Sequence, residues 1–110
     1  MPSSPSPFRP VADLAAFEQL IADSANEPIV LYLHDPYCPV SADAYDEMER
    51  LAGGSWVVDV SRQHDLKKEV ARRTGVRHES PQVIVLRNGQ AAWDASHYAI
   101  TAAAVAAAAS

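Results

Sequence analysis

Leu14, Phe17, Leu20 and Ile21 recur at the spacing of one helix face, with polar positions between them. That pattern predicts a helix over residues 11–24, with Asp13 as its N-cap. Glu27-Pro28 breaks the repeat. Ile29-Val30-Leu31-Tyr32-Leu33 is then a continuous apolar run, the mark of a short strand buried on both faces. Asp35-Pro36 turns the chain. Pro39 suits a first helical turn, where its missing N–H costs nothing. Ala42, Tyr45, Met48 and Leu51 carry a second helix to Gly53-Gly54, which stop it. Residues 56–60 read as a second strand, with Trp56 in the core. Residues 62–74 read as a charged helix with Leu66 and Val70 facing inward and Gly75 at its end. Residues 83–86 form a third apolar run. Asn88-Gly89 is a strong hairpin signal, and it joins that run to Ala91-Ala92-Trp93, with Trp93 again placed in the core. From about residue 97 an Ala-rich stretch with Ile100 and Val105 predicts a terminal helix.

The predicted order is α-β-α-β-α-β-β-α. Strands separated by helices are expected to pair in parallel, because a parallel connection needs a crossover. The tight turn makes the last pair antiparallel. The expectation is an α/β fold, a four-stranded mixed sheet with helices on both faces.

A length of 110 residues suits one domain with a real core. Residues 11–110 are read as that domain, and the Pro/Ser-rich residues 1–10 as a flexible tail. Net charge is −5, and Lys and Arg do not cluster with aromatics, so a nucleic-acid partner is not expected. No apolar run approaches the roughly 20 residues of a membrane span, so no membrane is expected either. The start lacks the basic and apolar regions of a signal peptide. With a single cysteine, this points to the reducing cytoplasm.

That cysteine, Cys38, lies where the first apolar run has ended and the second helix begins. A sulfur there feels the positive end of the helix dipole and unpaired backbone N–H groups, which favour the thiolate. Ligands of α/β sheets gather at the carboxyl ends of strands. The plainer reading is a buried structural thiol; the position favours a redox site. With no second cysteine, any disulfide partner comes from outside. Ser41 stands three residues on, where a dithiol site would carry its resolving thiol. It either donates to the sulfur or caps a backbone N–H. Ser80-Pro81 leads into the third strand. Pro81 is a candidate cis proline that would bring the backbone of Ser80 beside Cys38; otherwise it opens an edge strand in trans. A cysteine at one strand-to-helix junction and a proline leading into a later strand suggest a thioredoxin-like site. His34, His78 and His97 fall near strand ends or helix starts, where they can tune its charge. Their spacing matches no metal motif. Asp35 would oppose a thiolate, and His64 reads as solvated.

Four motifs in order resemble the monothiol bacilliredoxins, the YtxJ-like family of thioredoxin-like proteins. They are His34 with Cys38-Pro39-Val40-Ser41; Gly75-Val76-Arg77-His78-Glu79-Ser80-Pro81-Gln82-Val83; Asn88-Gly89; and Ala95-Ser96-His97-Tyr98-Ala99-Ile100-Thr101. The likeness runs from about Asp13 to Thr101. It implies a thioredoxin-like fold and a thiol–disulfide oxidoreductase that removes bacillithiol from client proteins. Cys38 would attack the mixed disulfide, with His34, Pro39, Ser41, Ser80, Pro81 and His97 supporting it. No bound cofactor is implied; bacillithiol is the co-substrate, and a second bacillithiol or a reductase-linked partner resets the thiol. Bacillithiol is anionic, and Arg77 and His78 are candidates to bind it. One departure is Asp35-Pro36, where a Ser-Thr-like pair is expected. Two other readings stay open. A non-catalytic thioredoxin-like binding module would carry Cys38 incidentally. An iron–sulfur carrier would bridge two chains, although Pro39-Val40 stands where the glutaredoxin signature has Gly-Phe.

Overall fold

The computed structural model of the chain describes residues 6–110. Its centre is β2 (Ile29–His34), whose side chains alternate between two cores. Ile29, Leu31 and Leu33 meet Phe17 and Leu20 of α1 (Leu14–Asp23) and Leu66 and Val70 of α3 (His64–Thr74). Val30 and Tyr32 meet Ala44 and Met48 of α2 (Pro39–Glu49) and Val105 of α4 (Ala102–Ala109). The run is apolar without a break because both faces are covered. Asp13 caps α1, its carboxylate accepting from the Ala16 N–H at 2.8 Å.

The sheet has five strands, not the expected four. The fifth is β1 (Phe8–Pro10), which pairs in parallel with β3 (Ser55–Asp59). Residues 8–10 of the expected tail are therefore part of the fold, while residues 1–5 lie outside the described residues. The strand order is β1-β3-β2-β4-β5, with β4 at Gln82–Arg87 and β5 at Gln90–Ser96. β2 and β3 pair in parallel as expected. β4 does not: it lies antiparallel beside β2, although α3 separates it from β3. A parallel pair needs a crossover, but a helix between two strands does not make them neighbours. The chain after α3 runs to the far side of β2 before β4 begins. Asn88 and Gly89 both have positive φ, the geometry of the two-residue turn that joins β4 to β5.

Smaller expectations shift at element ends. The second helix stops at Glu49, before Gly53-Gly54. Residues 97–99 form a 3-10 turn, and α4 starts only at Ala102, where the Thr101 hydroxyl accepts from the Ala104 N–H. Leu14 opens α1 before the core contact begins and stays exposed. Trp56 and Trp93 are half-buried rather than core, and the Arg9 guanidinium lies 4.9 Å from the Trp56 ring centre.

Candidate active site

Two pairings place the candidate residues at one end of the sheet. His34 is the last residue of β2 and faces Asp59 of β3, while Leu33 faces Gln82 of β4. The Ser80-Pro81 entry to β4 therefore lies at the end where β2 delivers the chain to Cys38. The Ser80-Pro81 bond is cis, as the candidate reading had it. The Pro81 carbonyl accepts from the His97 N–H at 3.0 Å, which brings the segment after β5 to the same end.

Cys38 is the N-cap residue of α2 and is half-buried. Its N–H donates to the Asp35 carbonyl at 3.2 Å, closing the turn that Asp35-Pro36 begins. The Asp35 carboxylate is engaged in that turn as well, accepting from the Tyr37 N–H at 2.9 Å. Pro39 occupies the first helical turn. The Cys38 side chain makes no capping hydrogen bond, so its sulfur is not committed to the first turn of α2.

A concavity of about 370 Å³ opens beside the sulfur. Its wall includes His34, Tyr37, Cys38, Ser41, Tyr45 and Asp46. Ser41 is only 1% exposed, and its hydroxyl has no hydrogen-bond partner. A buried hydroxyl left unpaired is costly and uncommon. Here it lines the Cys38 concavity.

His34 is held from behind. Its Nδ1 lies 2.8 Å from the hydroxyl of Tyr32, two residues earlier on the same strand face. Tyr32 is fully buried, and burial, with the Tyr45 phenol next, pushes its hydroxyl upward. The Tyr32 hydroxyl thus fixes the ring of His34 through Nδ1 and leaves Nε2 free of it. Burial also lowers His34 from its ordinary 6.5, against the opposing pull of Asp59 and Asp35. Phe8 stacks on Tyr45 with ring centres 4.5 Å apart, and the His34 and Tyr45 rings lie 5.4 Å apart. β1 thus buttresses this wall.

The other candidates sit apart from this cavity's wall. His78 turns Nε2 to the Ser80 hydroxyl at 2.9 Å, while its Nδ1 is buried without a partner. Arg77 is exposed, and its carbonyl accepts from the buried Gln82 amide at 2.9 Å. His97 faces Glu79 at 3.9 Å and lines a neighbouring concavity. Among the described residues, no three His, Cys, Asp or Glu side chains converge to hold a metal ion. Tyr32, Tyr37, Tyr45 and Asp46 are site features that the sequence reading passed over. Their signals were present: Tyr32 shares a strand face with His34, and Tyr45 lies one helical turn after Ser41.

A family model described as monothiol bacilliredoxin BrxC matches residues 9–105. A solved structure described as a candidate oxidoreductase with a thioredoxin fold is 30% identical, covers 92% of each chain and superposes with a TM-score of 0.82. Thioredoxin from Malassezia sympodialis is 17% identical over 98% of this chain and 92% of its own, with a TM-score of 0.73. Spinach chloroplast thioredoxin f is 18% identical over 100% of both chains, with a TM-score of 0.67. These last two likenesses show the fold.

Proposed function

Because the chain belongs to the monothiol bacilliredoxin family and keeps its single thiol at the mouth of a concavity, we propose that it removes bacillithiol from mixed disulfides on client proteins through Cys38. The observation that carries this reading is the site itself: the only cysteine caps α2, uncommitted to any capping bond, beside a buried and unpartnered Ser41 hydroxyl.

In the proposed reaction the Cys38 thiolate attacks the bacillithiol sulfur of the client's mixed disulfide. A bond forms between Cys38 and bacillithiol. The old sulfur–sulfur bond breaks, and its electron pair leaves with the client's thiolate. No strong general acid is needed, since a thiolate is a competent leaving group. The N-terminal turn of α2, which Cys38 caps, and the Ser41 hydroxyl in the same concavity are the donors this reading assigns to the reacting sulfur. His34 adds a neutral imidazole to the same wall. With no resolving thiol in the chain, Cys38 then holds bacillithiol until a second thiol, bacillithiol itself or a reductase-linked partner, displaces it. Arg77 and His78 lie on the loop before β4, outside the cavity wall. The concavity's own donors are therefore the first candidates for holding bacillithiol. The reading implies a reducing compartment, the cytoplasm of a bacterium that makes bacillithiol.

Intact-mass spectrometry after exposure to a bacillithiolated client tests the reading. The expected result is a gain of one bacillithiol on the parent chain, release of the client as a free thiol, and neither event with Cys38→Ser. Client release without a mass gain on the chain, or an inert Cys38, overturns it.

A further inference from the structure

Beside the Cys38 concavity on α2 lies a second one of about 300 Å³, and Asp46 belongs to both walls. The second is lined by Asp43, Glu47 and Arg50 on one side and by His97 and Tyr98 on the other. α2 carries Asp43, Asp46, Glu47 and Glu49 and neither Lys nor Arg. The nearby arginine is already matched: Arg50 pairs with Glu47 at 2.6 Å. His97 lies 3.9 Å from Glu79. Glu47 is also occupied by the Ala102 N–H, which its carboxylate accepts at 2.9 Å. Asp43 and Asp46 are exposed and have no ion-pair partner among the described residues.

A second, independent feature marks the same surface. Four large apolar side chains are exposed among the described residues: Leu14, Tyr37, Tyr45 and Tyr98. The three tyrosines all border these two concavities, with Tyr37 81% and Tyr98 72% exposed. Exposed aromatics beside unpaired carboxylates fit Lys and Arg, which the carboxylates attract and the ring faces accept.

We infer that this acidic, tyrosine-rimmed groove seats a basic segment of the client polypeptide next to its modified cysteine. The inference rests on the proposed exchange and adds an orientation to it. The groove has electrical polarity. Its Cys38 end offers the α2 N-terminus and the orphaned Ser41 hydroxyl, which suit the anionic small thiol. Its far end offers carboxylates, which suit a basic peptide. A mixed disulfide laid along it presents the small-thiol sulfur to Cys38. Cys38 bonds to that sulfur, and the client's sulfur takes the electron pair and departs.

The test uses the full chain and two synthetic peptides with one cysteine, flanked by Lys and Arg or by Glu. Each is prepared as its mixed disulfide with bacillithiol and, separately, with neutral mercaptoethanol. The basic peptide is expected to react with a kcat/KM at least about fivefold above the acidic one, the scale of two rim charges. High salt should shrink that ratio. Asp43→Asn with Asp46→Asn should bring it close to one while the circular dichroism spectrum is kept. Equal rates for the two peptides, or a ratio untouched by the double substitution, overturn the groove. A ratio that holds with mercaptoethanol disulfides while bacillithiol disulfides are inert leaves the groove standing and removes bacillithiol as co-substrate. A Cys38 inert toward all four peptides overturns both readings.

Discussion

At the residue scale, Ser41 is the side chain with the clearest debt to function. Its hydroxyl is buried and unpartnered, so the folded chain gains nothing from it. Ser41→Ala is therefore expected to leave the urea midpoint unchanged or slightly raised. The same substitution should slow attack of Cys38 on a small disulfide by about fivefold, the loss of one hydrogen bond to a charged sulfur. A merely structural serine would move stability and leave the rate alone. Ser41→Cys extends the test, since it puts a thiol three residues after Cys38 in the same concavity. Bacillithiol carried by Cys38 should then be expelled as the two thiols join, and intact mass would show a loss of two hydrogens instead of an adduct. A persistent adduct would mean that the two side chains do not meet. This part of the site was legible because Cys38, Pro39 and Ser41 are neighbours in sequence. The Tyr32–His34 hydrogen bond was less so. Strand periodicity puts both side chains on one face, but only the fold shows that α2 covers that face and turns it into a wall.

At the element scale, β1 was invisible for a physical reason. It is three residues long, it ends in Pro10, and Pro7 precedes it. Such composition reads as a tail unless the strand lies at an edge, where a missing N–H is tolerated. That is where it lies. Its effect reaches the site because Phe8 stacks on Tyr45. Phe8→Ala is expected to cost about 2 kcal/mol in urea unfolding, less than a fully buried Phe because Phe8 is only half-buried. It should also change the alkylation rate of Cys38. A cost below about 0.5 kcal/mol would show that β1 adds little. Gly54 is the companion position. It has a φ of +68°, and a Cβ there would collide with the Pro7 carbonyl oxygen. That contact could not relax without moving the Pro7 backbone that leads into β1, so Gly54→Ala should destabilise by a similar amount. The direction of β4 was misread for a different reason. A helix between two strands constrains their connection, while the choice of neighbour depends on which edge of β2 remains open, a property of the whole sheet.

At the scale of the whole molecule, the two histidines at the site end link folding to acidity. Burial lowers His34, with Asp59 and Asp35 opposing it. Burial and then Lys67 lower His78, with Glu79 and Asp35 opposing. In the unfolded chain both return toward 6.5. Below that value the unfolded chain takes up protons that the folded chain resists, so acidification favours unfolding. Stability should therefore be full above about pH 7 and fall as the pH drops through the mid-range, before the carboxylates titrate. Glu47 adds a later loss. The Ala102 N–H holds its carboxyl below the ordinary 4.5, so the stability it gives α4 is present above 4.5 and disappears as the pH falls through the lowered value. Urea unfolding across this range should show two successive declines. His34→Gln with His78→Gln should flatten the first and spare the second; a first decline that survives the double substitution would assign it to other groups. The position of these groups gives the result its meaning. His34 lines the Cys38 concavity, and His78 holds Ser80 beside the cis proline. The protons that loosen the fold enter at the site, so loss of exchange on the acid side should begin with the first decline.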